Sequence, residues 1–173
     1  MKGTVMSTVT TPHPILRTQD DGERRWFYGG GAHTWKATAE ETGGAFLLFE
    51  DRMEQGKMTP LHIHPESDET MYVLEGEILF HMDGVEHSVG IGGLAVAPRG
   101  VPHAFMVVSE VARMLCLHTP GCCQAFYWDA SEPISSGDDG AGLVDFARVQ
   151  SSAAKNGGIE ILGPPPFARP ASG

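Results

Sequence analysis

Four residues in the middle of the chain have the types and spacing of a metal-ligand set. His62 and His64 are separated by one residue, so on a strand both imidazoles point to the same face. Glu69 follows five positions later, after a predicted turn at 65–68, and stands at the start of a predicted strand. His103 opens a later strand and supplies a fourth donor from across the predicted barrel. Three neutral imidazoles and one carboxylate suit a divalent first-row ion such as Fe, Mn, Co, Ni, Cu or Zn.

The elements that must position these residues are predicted to be short β-strands. Turn signals recur about every eight residues with no helical stretch between them, a pattern typical of an all-β barrel or jelly roll. Asp83-Gly84 predicts a tight hairpin, because glycine tolerates the positive φ that such a turn requires. The predicted strands cover 33–38, 45–49, 71–75, 77–82, 85–89, 94–97, 103–108, 112–118 and 124–128, with a polar loop over 52–57.

The sequence predicts a single domain with three parts. Residues 1–44 form an N-terminal arm and the first strands, 45–128 form the barrel core, and 129–173 form a C-terminal tail. Apolar spacing over 144–154 predicts a short helix within this tail. We expect the polar residues 1–25 to pack on a neighbouring subunit.

Composition and charge exclude several classes of function. The chain has 173 residues and a formal net charge of −10, so it is a poor binder of nucleic acid or of an anionic membrane. Its apolar runs are too short for a membrane span, which needs about 18 residues or more. Its three cysteines lack the spacing of a secreted disulfide scaffold, so we expect a cytoplasmic protein. The adjacent Cys122 and Cys123 are interpreted as packing or partly buried thiols rather than a redox pair.

Two stretches resemble the paired motifs of the cupin superfamily. Residues 56–76 match the first motif, G-x5-H-x-H-x4-E-x6-G, at every fixed position, and 92–103 match the second, G-x5-P-x-G-x2-H. The second motif often ends in Asn, and this chain has Val107 at that position. The difference changes the polar support of that strand but leaves the ligand set intact. The short segment between the motifs and the Thr119-Pro120-Gly121 exit make the chain similar to the single-domain quercetin-dioxygenase-like group.

This resemblance implies a cupin jelly-roll β-barrel and one metal ion per chain, held by His62, His64, Glu69 and His103. It also implies a metal-dependent dioxygenase that uses O₂ on an aromatic or enolic small molecule, with the ion acting as Lewis acid and template and Glu69 as the base. Two other functions stay open: a non-redox polyketide cyclase or isomerase, and a small-molecule-binding cupin without turnover. Cupin barrels commonly pair through an edge strand, so a homodimer is expected.

Further residues have both a functional and a structural interpretation. Strand parity places Met71, Val73, Phe105 and Val107 inside the barrel, where they line a substrate pocket or simply fill the core. Arg99 lies near the predicted barrel mouth. It is interpreted as a solvated arginine in preference to a residue that binds an anionic substrate. The remaining histidines are interpreted as ordinary surface or core residues rather than ligands: His13, His33, His81, His87 and His118.

Overall fold

The computed structural model describes residues 13–19, 21–135 and 142–167, and the chain within these ranges folds into two antiparallel sheets with two helices. The strands are β1 (Arg24–Phe27), β2 (Gly31–Ala37), β3 (Leu47–Glu54), β4 (Leu61–Ile63), β5 (Asp68–Glu75), β6 (Glu77–Met82), β7 (Val85–Gly90), β8 (Leu94–Ala97), β9 (His103–Val107), β10 (Val111–Thr119), β11 (Ser131–Pro133) and β12 (Glu160–Gly163). The helices are α1 (Gln124–Asp129) and α2 (Phe146–Asn156).

The two sheets form a jelly roll, as predicted. One has the strand order β11-β1-β2-β3-β10-β5-β8, and the other has the order β12-β4-β9-β6-β7. Within the described ranges they are not joined into one continuously hydrogen-bonded barrel, so β8, β7, β11 and β12 remain edges. At the β8 edge Leu94 and Val96 are exposed. The expected homodimer stays a prediction.

Alternation along the strands places the core between the sheets. In β10 every second residue is buried, namely Ala112, Met114, Cys116 and His118. In β3 the same alternation runs as far as Glu54, so the predicted polar loop at 52–57 was wrong for its first three residues. The consequence is that Asp51 lies on the buried face of β3.

Turn and cap residues account for several boundaries. Asp83 and Gly84 both have positive φ, 48° and 81°, which fits a type I′ turn and confirms the predicted β6–β7 hairpin. The predicted C-terminal helix is also confirmed. It begins after Asp145, whose side chain accepts a hydrogen bond from the Arg148 backbone N–H, and it ends at Gly157. No helix in the described ranges is long and apolar enough to cross a membrane.

One element differs in type from the prediction. Residues 124–128 were expected to form a last barrel strand, but they belong to α1. A strand would send the adjacent Phe126 and Tyr127 to opposite faces, whereas in the helix both are buried against the core. Of the predicted N-terminal arm, residues 1–12 and 20 lie outside the described residues. So do residues 136–141 and 168–173 of the predicted tail.

Candidate metal centre

The structure brings His62, His64, Glu69 and His103 together between the two sheets. One donor atom from each lies within 4.8 Å of all the others, and all four residues are buried. His62 and His103 are direct cross-strand partners on β4 and β9 of the five-stranded sheet. Glu69 comes from β5 of the seven-stranded sheet, so the cluster joins the two layers.

Backbone carbonyls fix the orientation of all three imidazoles. The Nδ1 atoms of His62 and His103 each lie 2.8 Å from the carbonyl oxygen two residues earlier, at Pro60 and Val101. The Nδ1 of His64 lies 2.8 Å from the carbonyl oxygen of Gly158, just before β12. A carbonyl only accepts, so each Nδ1 carries a proton, and the Nε2 of each ring in its neutral form is the atom that can ligate a metal. Ligating histidines in metalloproteins are held in this way.

Glu69 is an ionised carboxylate at the centre of the cluster. Its Oε2 lies 2.9 Å from His103 Nε2 and 3.2 Å from His64 Nε2. Burial raises the pKa of Glu69, but His118, His103 and His64 together outweigh burial and hold this pKa well below its ordinary value. Burial lowers the pKa of His103, and the bond to Glu69 reverses that effect, so its pKa is raised.

The donor set fits a divalent cation. Burial, reinforced by His103 and His64, lowers the pKa of His62 to about 3, which keeps this imidazole neutral and able to ligate at neutral pH. The Nε2 of His64 is buried and, although it lies 3.2 Å from Glu69 Oε2, it makes no hydrogen bond of acceptable geometry within the described residues. Such a nitrogen, beside a carboxylate and two further imidazoles, has the chemistry of a metal ligand.

His118 and Tyr127 adjoin this centre, although neither was predicted as a functional residue. His118 is the cross-strand partner of Glu69, and its Nε2 lies 3.5 Å from Glu69 Oε1 and 3.2 Å from the Tyr127 hydroxyl. His118 also belongs to a second buried group of metal-type donors, with His64 and Cys123. The signal in the sequence was strand parity, since His118 shares the inward face of β10 with Ala112, Met114 and Cys116.

A narrow cavity of about 40 Å³ reaches this centre. Its wall includes His62 and Glu69, and most of the remainder is aromatic or aliphatic. Of the four predicted pocket residues, only Phe105 lies on this wall, whereas Met71, Val73 and Val107 are packed in the hydrophobic core. The aromatic residues on the wall are Phe27, Phe49, Phe105, Phe126, Tyr127 and Phe146.

The remaining candidate residues lie apart from the ligands. Arg99 pairs with Asp68 across 3.0 Å, and both side chains are at least one-third exposed. His33 is buried and stacks between the rings of Phe27 and Phe49. Cys122 is exposed and Cys123 is buried, where burial raises the pKa of its thiol.

Comparison with known proteins agrees with this fold. Residues 49–118 match the family model described as a cupin domain. A quercetin 2,3-dioxygenase from Bacillus subtilis (strain 168) is 29% identical over 102 residues, which are 59% of this chain and 30% of that protein's length. An RmlC-like cupin from Shewanella frigidimarina has a TM-score of 0.55 at 18% identity over 62% of this chain and 92% of its own. A sugar phosphate isomerase of the cupin superfamily from Silicibacter pomeroyi has a TM-score of 0.52 at 23% identity, over 60% and 75%.

Proposed function

We propose that the chain, whose residues 49–118 match a cupin domain, is a metal-dependent dioxygenase of the quercetin-dioxygenase type, acting on an aromatic or enolic small molecule. One observation supports this most directly: three oriented Nε2 atoms and one ionised carboxylate converge at the wall of an apolar cavity. The similarity to a quercetin 2,3-dioxygenase supports the oxidative reaction, although it spans less than a third of that relative.

In this proposal His62, His64, Glu69 and His103 hold one divalent first-row ion. The ion supplies Lewis acidity and, where it is redox-active, electron transfer. The protein contributes rigid donors, since three carbonyls fix the imidazoles, and a mostly apolar wall beside them, in which polar contacts are stronger than in water.

Glu69 is the proposed base. Its ionised carboxylate accepts the proton of an enol or phenol hydroxyl that enters the cavity. His118 lies 3.5 Å from the other carboxylate oxygen, and the Tyr127 hydroxyl lies beyond it, so both are positioned to hold Glu69 in place. The aromatic wall surrounds the space next to Glu69 with apolar surface.

The size of the cavity restricts the substrate. A cavity of about 40 Å³ is much smaller than a typical ligand pocket of roughly 300 Å³ or more, so a larger aromatic molecule must displace side chains at the wall. Met58 and Phe146 are the candidates, because each also lines the neighbouring groove beside α2. A small enolic compound needs less displacement than a flavonol.

The test combines metal analysis with oxygen uptake. Protein purified without chelators is expected to contain about one equivalent of Fe, Mn, Co, Ni or Cu and to consume O₂ with a β-diketone or a flavonol. His62→Ala removes one donor and should abolish both properties, whereas His87→Ala, on the exposed face of β7, should change neither.

Other outcomes separate the alternatives. Stoichiometric metal with turnover that continues without O₂ would contradict the dioxygenase and favour a cyclase or isomerase. Ligand-induced thermal stabilisation without any product would favour a binding protein. Absence of metal after reconstitution would overturn the centre itself.

A further inference from the structure

The cavity that reaches the metal centre has a second polar group on its wall. Asp51 from β3, Lys57 from the following turn and His33 from β2 line it, separate from the four proposed ligands. Neither Asp51 nor Lys57 belongs to the fixed positions of the two sequence motifs.

Asp51 and Lys57 form a buried ion pair. Lys57 Nζ lies 2.6 Å from Asp51 Oδ2, and the side chains are only 6% and 3% exposed. Burial raises the pKa of Asp51, but Lys57 and His33 overcome this and lower it to about 2, so the carboxylate is ionised. A buried pair of this kind contributes little net stability, because desolvation offsets the attraction, and it therefore calls for another explanation.

The pair leaves hydrogen-bonding capacity unused. A lysine ammonium has three donors, and within the described residues Lys57 Nζ has one acceptor, Asp51 Oδ2. Asp51 Oδ1 is buried and accepts no hydrogen bond from the described residues. Lys57 Nζ therefore has unused donors close to Asp51 Oδ1, an acceptor with no hydrogen bond among the described residues, and buried polar atoms are rarely left in this way.

The surroundings of the pair are aromatic. Lys57 Nζ lies 5.1 Å from the ring centroid of Phe105 and 5.8 Å from that of Phe27, and both rings line the cavity. In such a low-dielectric environment a hydrogen bond from a ligand to a charged group counts for more than it does in water.

We propose that Asp51 and Lys57 form a subsite for an uncharged hydroxyl group of the ligand, which accepts from Lys57 Nζ and donates to Asp51 Oδ1. A carboxylate would add an uncompensated negative charge to a pair that is already neutral. A carbonyl would satisfy Lys57 but leave Asp51 Oδ1 unpaired. This inference rests on the proposed function in one respect: the same ligand also reaches the metal centre, so the substrate is an aromatic or enolic compound with a second, remote hydroxyl.

The experiment compares paired probes that differ by one hydroxyl. The pairs are 4-(hydroxymethyl)catechol with 4-methylcatechol, and 3,4′-dihydroxyflavone with 3-hydroxyflavone. Binding to the metal-loaded protein is measured by calorimetry under nitrogen, so that no turnover is required. In at least one pair we expect the hydroxylated member to bind about tenfold more tightly, the effect of one hydrogen bond to a charged group.

Two variants test the assignment. Asp51→Asn combined with Lys57→Met removes both charges together and should bring the tenfold preference to about one. Gly31→Ala leaves both charged residues in place, but its Cβ would come 2.4 Å from Asp51 Oδ1 and 3.0 Å from Lys57 Nζ, so it should weaken the same preference. It also serves if the double variant does not fold.

The matched control is the exposed pair Asp129 and Lys155, which has a similar separation of 2.7 Å. Asp129→Asn with Lys155→Met should retain the preference. No preference in the unmodified protein for either pair, or a preference unchanged in the folded variants, would overturn the subsite. If the protein prefers the hydroxylated probes but consumes no O₂ in the uptake assay, the subsite is supported and only the proposed dioxygenase activity is contradicted.

Discussion

Two buried polar clusters share the interior of this protein, and their chemistry is opposite. Around Glu69, three imidazoles each bring one ring nitrogen to the cluster, because backbone carbonyls hold the Nδ1 side of each ring. Around Asp51, a single cation already neutralises a single carboxylate. The cluster around Glu69 has the donor set of a cation site. The pair of Asp51 and Lys57 has no net charge, and within the described residues it has unused hydrogen-bonding capacity. Burial alone therefore does not indicate what a polar cluster binds.

The largest expected effect is on the free energy of unfolding, and it tests the ion pair of Asp51 and Lys57. Lys57→Met leaves Asp51 as a buried charge without its cation, so we expect a loss of about 3–5 kcal/mol in the free energy of unfolding. The double variant Asp51→Asn with Lys57→Met leaves no unpaired charge and should recover most of this loss. Chemical denaturation measures both. Equal destabilisation by the single and double variants would show that the ion pair is not the relevant interaction.

A smaller effect tests the carbonyl support of the metal centre. Gly158 has a φ of +79°, and a Cβ there would lie 2.7 Å from the Cys123 Cα, so Gly158→Ala must shift the carbonyl that holds His64. We expect metal affinity to fall about 10–100-fold, measured with Co²⁺ against a chromophoric chelator. Gly157→Ala is the control, since Gly157 also has a positive φ but its Cβ would meet open space. An equal loss in both variants would indicate backbone strain rather than support of His64.

The effect that is smallest per unit change concerns pH. Burial lowers the pKa of His118 to about 3, whereas in the unfolded chain it is about 6.5, so the unfolded state binds more protons between these values. Stability of the metal-free protein should therefore fall as the pH drops from 6.5 towards 3. His118→Gln should reduce this slope by up to about 1.4 kcal/mol per pH unit, measured by denaturation at several pH values. The exposed control His87→Gln should leave the slope unchanged, and a matching reduction there would contradict the assignment to His118.

Local sequence patterns predicted most of the fold. The strand at 94–97 has the predicted bounds, and the hairpin at Asp83-Gly84 follows from the conformational freedom of glycine. The prediction failed at 124–128, because a short apolar and aromatic run fits a buried strand and a buried helix equally well. What decided between them was the packing of Phe126 and Tyr127 on the same core, which depends on the rest of the chain.

The site residues divide in the same way. Among the proposed ligands, His62 and His64 were found because the pleat directs side chains two residues apart to one face. Glu69 and His103 were found because they lie near the starts of two further strands. Asp51 was assigned no role, because its inward orientation depends on β3 continuing past the apolar run to Glu54. The link between His64 and Gly158 spans 94 positions, and no local pattern encodes so distant a contact.

The contact between His64 and Gly158 determines whether the proposed centre can be transferred to another protein. All four donors lie within residues 62–103, so transplanting this segment into another jelly roll would transfer the complete ligand set. One imidazole would nevertheless arrive without its anchor, because the carbonyl that fixes His64 is supplied from beyond α2. A chimera that also receives residues 157–163 should hold its ion more tightly than one that does not. The complete site therefore consists of the segment that carries the four donors together with the residues around Gly158 that orient His64.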